Sequence, residues 1–444
     1  WDPAQDRAWR HISPWIVWPL IYTGLPPSAH GLVAFGQDNR SIQDRCVWDV
    51  LDQAGVSVGV FGSLQSHPPR DHGSCHFYIP DSLSNDGRCI PDAATPLQDF
   101  LILGARNYSE NMFGHAAKAA SLLLRSRRVG VRHRTIARTA WQVPAEVLRG
   151  AKQVPERAVL HTQLAQDAFL HLYQSARPRF AALHINHVAY MQHRYWRAAE
   201  PHRFSEQLGA ADVHFFGSRV ERERAEQVHA RRIEDAFVVV DQLLETLMSI
   251  VDEDTLLLVA TGLGQRPMDP AHDIHNPVVR LVHPDKLFKK LDVGDCEVLH
   301  QMNPDLTVNF DSAEAATRAH TLLSGLYIDP DVDLFDVARV GHQIFLELRV
   351  PAKAWDADHA HIRHRSLHLV ERWTDWIRVH ESREQSTAHH HDKGVLLAWS
   401  RGRSIEAIAK TLPVTDIAPN ILGWFGVPVP SWMNNDPVVP FRVS

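Results

Sequence analysis

The stretch RIEDAFVVVDQLLETLMSIVDEDTLLLVATGLGQ, residues 232–265, decides the fold. Its first half reads as a long amphipathic helix, with apolar residues returning at helical spacing. An acidic turn follows, and five apolar residues, Leu256 to Ala260, then read as a buried strand running to Thr261 and Gly262. Open α/β sheets place their reactive groups at such strand exits. Here the exit offers Thr, Gly, Leu, Gly and Gln, and no carboxylate, imidazole or thiol.

Working outward, VWDVLDQAGVSVGVFGS (47–63) reads as a helix closed by Gly55 and followed by a strand over 56–61. RFAALHINHVAYMQH (179–193) offers a strand over 180–185 that leads into polar residues, and KGVLLAWSRGR (393–403) offers a fourth. Short apolar strands alternating with helices predict an α/β fold, a mostly parallel sheet covered by helices on both faces. Two segments break the rhythm. Residues 85–178 are mostly helical and include six arginines over 122–138, and residues 268–388 read as an inserted α+β cap.

The chain has 444 residues, 44% hydrophobic and 22% charged, as expected of a folded globular protein. A formal net charge of −6 gives no general case for nucleic acid or a membrane surface. No apolar run reaches the roughly 18 residues of a membrane helix, and the cytoplasm is the favoured location. The chain starts at Trp1 and not Met, so its true beginning is expected upstream. Four widely spaced cysteines argue against a zinc ribbon; free thiols are expected, with Cys75–Cys89 the one pairing left open. The unusual number is 29 histidines, which suits metal or acid–base chemistry but also compositional drift.

Several local groups carry chemistry or mimic it. Ser13-Pro14 reads first as a helix N-cap, and second as a hydroxyl nucleophile favoured by the helix terminus. Gly24, Pro26, Pro27 and Gly31 dictate a turn, and Trp15, Trp18 and Trp196 read as core or pocket walls. His184, His187 and His193 lie close together after a strand, with His187 read as structural and His193 as a site residue. His361, His364 and His368 would share one face of a helix, most simply a solvated one. Arg125, Arg127, Arg128, Arg132, Arg134 and Arg138 could grip an anion through forked contacts, although a solvated surface is the plainer reading. No Walker loop, dinucleotide fingerprint or nucleophile elbow is present.

WPLIYTGLPPSAHGL (18–32) resembles the segment after the nucleophile in the alkaline phosphatase superfamily, especially its type I phosphodiesterase/nucleotide pyrophosphatase branch. INHVAYMQHRYW (185–196) sits where that branch has Asp-x-x-(Gly/Gln)-His. VDEDTLLLVATGLGQ (251–265) sits where a strand ends in Ser-Asp-His-Gly, and HHHDKGVLLAWSRG (389–402) resembles the late His region. VTDIAPNILGWFGVPVPSWMNNDPV (414–438) resembles the closing segment and is the most specific match. The resemblance is spread end to end over about half the chain. It implies an alkaline phosphatase-like core over 1–267 and 389–444, lacking the family's N-terminal strand, with the cap at 268–388.

The resemblance also implies two-metal hydrolysis with about six Asp/His ligands and a Thr or Ser nucleophile. Carried over by position, that set is depleted. The nucleophile falls at Ser13 with one residue of insertion, or at Pro14 without it. One Asp falls on Ala189, with Asn186 the nearest polar substitute, and its His on His193. An Asp-His pair falls on Gly262 and Leu263, and the late His on His391, with His389 and His390 as alternatives. Asn186, His193 and His391 could hold one zinc ion, or no metal is held and Ser13 and His193 carry the catalysis. Three readings follow. The first is a divergent hydrolase of phosphate (phosphodiester or pyrophosphate) or sulfate esters. The second is a pseudoenzyme binding an anionic ligand, a partner protein or another copy of itself. The third is a two-metal enzyme completed by an unseen segment or partner chain.

Overall fold

The computed structural model describes residues 13–32, 39–84, 86–106, 116–149, 155–204, 218–268, 279–300, 306–328, 332–349, 360–379, 386–409 and 411–443. Helix α1 (Pro14–Thr23) leads through a tight turn toward helix α2 (Val47–Gln53). Gly24, at φ 66°, closes α1 in the left-handed region that glycine tolerates. Helix α2 buries Val47, Trp48 and Leu51, and its Asp49 accepts from the Cys46 N–H (3.2 Å) to cap the first turn. Strand β1 (Val58–Phe61) follows, as its apolar run predicts, and all four of its residues are buried.

Strand β1 pairs in parallel with β2 (Cys75–Ile79) on one side and β3 (Phe180–Leu183) on the other. Strand β2 escapes sequence reading because CHFYI is short and opens on a half-polar pair. It docks tightly because the Phe77 ring lies across Gly59, where a Cβ would come within 2.3 Å of it. Alternate side chains enter different cores. Phe61, Phe77 and Ile79 join a cluster with Leu97, Leu164 and Phe169, while Val58, Val60 and Tyr78 join one with Tyr22, Leu51 and Leu422. The first cluster is built by helices α3 (Thr95–Arg106), α4 (Ala116–Arg125), α5 (His133–Arg149) and α6 (Glu156–Ala176). The molecule is a mixed α/β protein with a parallel three-stranded sheet and helices.

After β3 come α7 (His187–Ala199), α8 (Arg219–Gln227), the long α9 (Arg232–Ile250) and strand β4 (Leu257–Thr261). The helix-then-strand reading of 232–262 therefore holds, but the strand's pairing departs from expectation. Strand β4 pairs antiparallel with the later strand Val395–Trp399, Thr261 opposite Val395, and not with the parallel sheet. Two glycines permit it. A Cβ on Gly394 would fall 1.6 Å from the Thr261 carbonyl oxygen, and one on Gly264 would fall 2.3 Å from that of Lys393. Strand β5 (Gly264–Pro267) likewise pairs antiparallel with Ala388–His391. Strand β4 was expected to be buried, yet its first four residues are half-buried and Thr261 is exposed.

Residues 279–379 bring β6 (Val279–Leu281), α10 (Pro284–Lys290), β7 (Glu297–His300), β8 (Leu306–Asn309), α11 (Ala313–Ser324), β9 (Leu326–Ile328), β10 (Val332–Asp333), β11 (Phe335–Val340), β12 (Gln343–Leu348), β13 (His361–His364), β14 (Val370–Arg372) and β15 (Ile377–Val379). Two four-stranded antiparallel sheets, ordered β11-β12-β8-β7 and β10-β9-β13-β14, share a core that includes Leu287, Val308, Leu323, Ile344 and Ile362. That cluster of buried residues is drawn wholly from positions 281–377.

Here the helical reading of His361, His364 and His368 is overturned. Residues 361–364 form strand β13, which buries Ile362 between β9 and β14. His364 is structural: its Nε2 donates to the Leu322 carbonyl (2.9 Å), and its Nδ1 accepts from Ser366 and Leu367 N–H. The chain ends with β16 (Ala388–His391), β17 (Val395–Trp399), β18 (Ile405–Ala407), α12 (Ile417–Trp424) and β19 (Phe441–Val443). All four cysteines are free, so the Cys75–Cys89 pairing is not formed.

The closing segment explains its own sequence. Buried Asp416 accepts from Asn434 Nδ2 (3.0 Å) and from the Val438 N–H (2.9 Å), folding the tail back on α12. Ala418, Leu422 and Met433 then pack into the cluster that holds Tyr22 of α1. Met433 reaches Gly24, where an added Cβ would lie 3.0 Å from its Cγ. The tail thereby clamps α1.

Candidate functional site

Helix α1 is where the strand exits meet. The Trp18 ring stands edge-on against His184, just beyond β3, with centroids 4.4 Å apart. A Cβ on Gly262, just beyond β4, would lie 2.6 Å from Ile21 Cδ1 and 2.8 Å from Val17 Cγ1. The position that the resemblance aligns with a metal-binding Asp is therefore filled by the apolar face of α1. Thr261 is occupied as well, its Oγ1 accepting from the Val395 N–H (2.8 Å).

Ser13 stands at the N-cap of α1 with extended backbone, but its side chain makes no cap hydrogen bond. Its carbonyl accepts instead from the Ile16 and Val17 N–H groups, at 3.1 and 3.0 Å. Its Oγ is buried without a partner among the described residues, at a residue exposure of 6%. A hydroxyl out of water without a partner costs about 1–3 kcal/mol, so a group that satisfied it would bind with that advantage. Pro14 contributes no N–H, so the helix end offers its dipole more than a cluster of donors.

His193 lies on α7, near its middle. Its Nδ1 donates to the Ala388 carbonyl (3.0 Å), with Ser386 Oγ also in reach at 3.3 Å. That bond fixes the tautomer and leaves the Nε2 lone pair available. Thr387 fastens the same place, its Oγ1 donating to the His193 carbonyl (3.1 Å) and accepting from the Trp196 N–H (3.0 Å). The imidazole facing His193 belongs to His390, with ring centroids 4.7 Å apart and planes nearly perpendicular. His391 projects from the opposite face of β16, is 42% exposed at its side chain, and its Nδ1 accepts from the Lys393 N–H (3.1 Å). Strand alternation separates the two neighbours. The late histidine that meets His193 is thus His390, not His391.

Burial lowers the pKa of His193, and lowers that of His390 to about 4, with the neighbouring imidazoles adding to the shift. Both rings are neutral at pH 7. Burial likewise takes His184 and His30 to about 4. His30 is buried, and its Nδ1 accepts from the Leu32 N–H. His187 is structural as read, its Nε2 donating to the Ala236 carbonyl (3.0 Å).

The zinc set expected from sequence does not assemble. Asn186 is exposed at the start of α7, seven residues and about 10 Å along the helix from His193. Among the described residues no group of three or more His, Cys, Asp or Glu side chains is placed to hold a metal ion. Asn186 stands at the start of α7, His193 within it and His391 on β16, and among the described residues no contact brings the three together; no hydrogen bond or ring contact joins Ser13 to His193. Sequence reading missed Thr387 and the Trp18–His184 contact, since nothing local marks residues that act across 166 or more positions.

The family model described as type I phosphodiesterase / nucleotide pyrophosphatase matches residues 15–374. No curated protein and no solved structure matches the chain. His193 and Gly262 fall inside the matched range, whereas Ser13 and His391 fall outside it. With more than half of its length matched, the chain belongs to the type I phosphodiesterase/nucleotide pyrophosphatase family of the alkaline phosphatase superfamily.

Proposed function

We propose that this chain is a divergent phosphoester hydrolase of its family, acting on a phosphodiester or pyrophosphate bond with Ser13 as the attacking residue. One observation carries the reading: the Ser13 hydroxyl is buried at the N-terminus of α1 and has no partner among the described residues. An unspent hydroxyl facing a helix dipole suits a developing negative charge. In the proposed step Ser13 Oγ displaces an alcohol or phosphate leaving group from phosphorus, and water then cleaves the seryl phosphate. The proton that Ser13 gives up leaves with the departing oxygen; His193, whose Nε2 is free but which makes no contact with Ser13, would act only through an intervening water. No step is assigned to the zinc ion, because its expected ligands lie apart.

A second reading is favoured by the crowding at Gly262. There Val17 and Ile21 occupy the space a ligating carboxylate would need, and no base touches Ser13. On this reading the fold binds a phosphate or sulfate ester, or a partner protein, without turning it over. Hydrolysis of bis(p-nitrophenyl) phosphate and of pyrophosphate by the wild-type protein and by Ser13→Ala separates the two. Turnover lost in the variant supports the hydrolase. Binding without turnover in either protein supports the second reading.

A further inference from the structure

The arginines over 125–138 are not a uniform solvated face. Arg132, Arg134 and Arg138 border a cavity of about 370 Å³ between α5, α6 and α9, a size that small-ligand sites have. Asp167 neutralises the first of them. It is buried beneath α5, accepts from Arg132 Nε (2.6 Å) and the Arg132 N–H (3.1 Å), and takes a third bond from Thr135 Oγ1 (2.6 Å). Arg138 meets only the neutral Gln163 Oε1 (3.0 Å), and Arg134 has no ion pair among the described residues. Among the described residues no carboxylate lines the cavity. Among the described residues, two guanidinium charges at its rim therefore have no carboxylate partner.

The interior adds a second signal. Gln166 borders the cavity and has a buried Nε2 with no acceptor among the described residues, so a turn of its amide would offer a donor to an incoming oxygen. Leu170, Val239 and Leu243 supply an apolar strip of the wall, beside the polar Thr135, Gln163, Gln242 and Thr246. We propose that this cavity binds a small organic phosphate monoester, separately from the site at Ser13. Its dianionic head pairs with Arg134 and Arg138, whose forked donors match phosphate oxygens. One oxygen accepts from Gln166 Nε2, and the ester's apolar body lies on Leu170, Val239 and Leu243. The wall on α9 continues the stripe that holds Ala236, so the cavity lies near the His187–Ala236 bond without sharing a residue with it.

The test is calorimetric titration with phenyl phosphate and with inorganic phosphate, in the wild-type chain and in Ser13→Ala. Phenyl phosphate should bind both proteins alike, at least about tenfold tighter than inorganic phosphate, and more weakly as salt is raised. The exposed pair Arg134→Gln/Arg138→Gln, which keeps the Asp167 bonds, should weaken binding by about tenfold or more. Val239→Trp should do the same by filling the cavity. Absence of binding to the wild-type chain, or unchanged affinity in either altered protein at an unchanged melting temperature, overturns the proposal. Loss of binding in Ser13→Ala overturns it too, by assigning the ligand to the other site. Equal affinities for the two probes would remove the apolar wall from recognition and reject an ester body. If Val239→Trp fails to fold, the arginine pair decides alone.

Discussion

His193 and His390 meet edge to face, ring centroids 4.7 Å apart, across the seam between α7 and β16. Two imidazoles this close and this buried resist protonation, because each charge would lack water and face its neighbour. The pair is held by the strand's own backbone: Ala388 orients one ring, and Thr387 anchors the helix that carries it.

Acid should weaken the fold earlier than its carboxylates alone would. His30, His184 and His390 have folded pKa values near 4, below the ordinary 6.5. Between those limits the unfolded chain binds the extra protons, so stability is full above pH 6.5 and declines as pH falls toward 4. For fully buried His30 the shift amounts to about 3 kcal/mol as an order of magnitude. Urea unfolding at pH 7.5, 6, 5 and 4.5 should show the decline, and His30→Asn should make it shallower. A flat profile from pH 7.5 to 5 would contradict the assignment.

Gly262→Ala should destabilise by about 1–3 kcal/mol, the usual cost of overpacking. Ile21→Val removes the methyl nearest the added Cβ and should recover part of the loss. A double-mutant cycle in urea should give a coupling of at least about 0.5 kcal/mol. Strict additivity would mean that α1 does not fill that space.

Thr387→Val keeps the shape but removes both bonds of the hydroxyl. The Trp196 N–H and one bond to the His193 carbonyl are then left unmet, at a cost of about 1–3 kcal/mol. Amide exchange at Trp196 should accelerate more than exchange in α12. Equal protection at Trp196 in both proteins would show that the anchor is dispensable.

Asp416→Ala should release the tail from α12, since the carboxylate accepts from both Asn434 and Val438. Losing two bonds to a buried charged group costs about 2–4 kcal/mol. Limited proteolysis should cut first within 430–440. An unchanged cleavage order would reject the clamp.

Much of the fold was legible because local pattern and packing agree. The apolar runs at 58–61, 180–183 and 257–261 each became strands, and the helices before the first and last formed as their spacing required. Strand pairing was not legible. The antiparallel β4–β17 ladder depends on Gly264 and Gly394 approaching backbone more than 120 residues away. His361–His364 shows the limit of spacing arguments, since three histidines at helical intervals lie in a strand and the turn after it. The late histidines were legible as a group, but choosing His390 over His391 required the phase of β16 against α7. Ser13 was read correctly as an N-cap position. That its hydroxyl stays unspent is visible only in three dimensions.

The most direct measurement is steady-state hydrolysis of bis(p-nitrophenyl) phosphate by the wild-type chain beside Ser13→Ala, both purified without a histidine tag. The wild type should turn the substrate over measurably, and the variant should lose at least about a hundredfold at an unchanged melting temperature. Equal turnover in the two proteins, or none in the wild type, would contradict the role of Ser13.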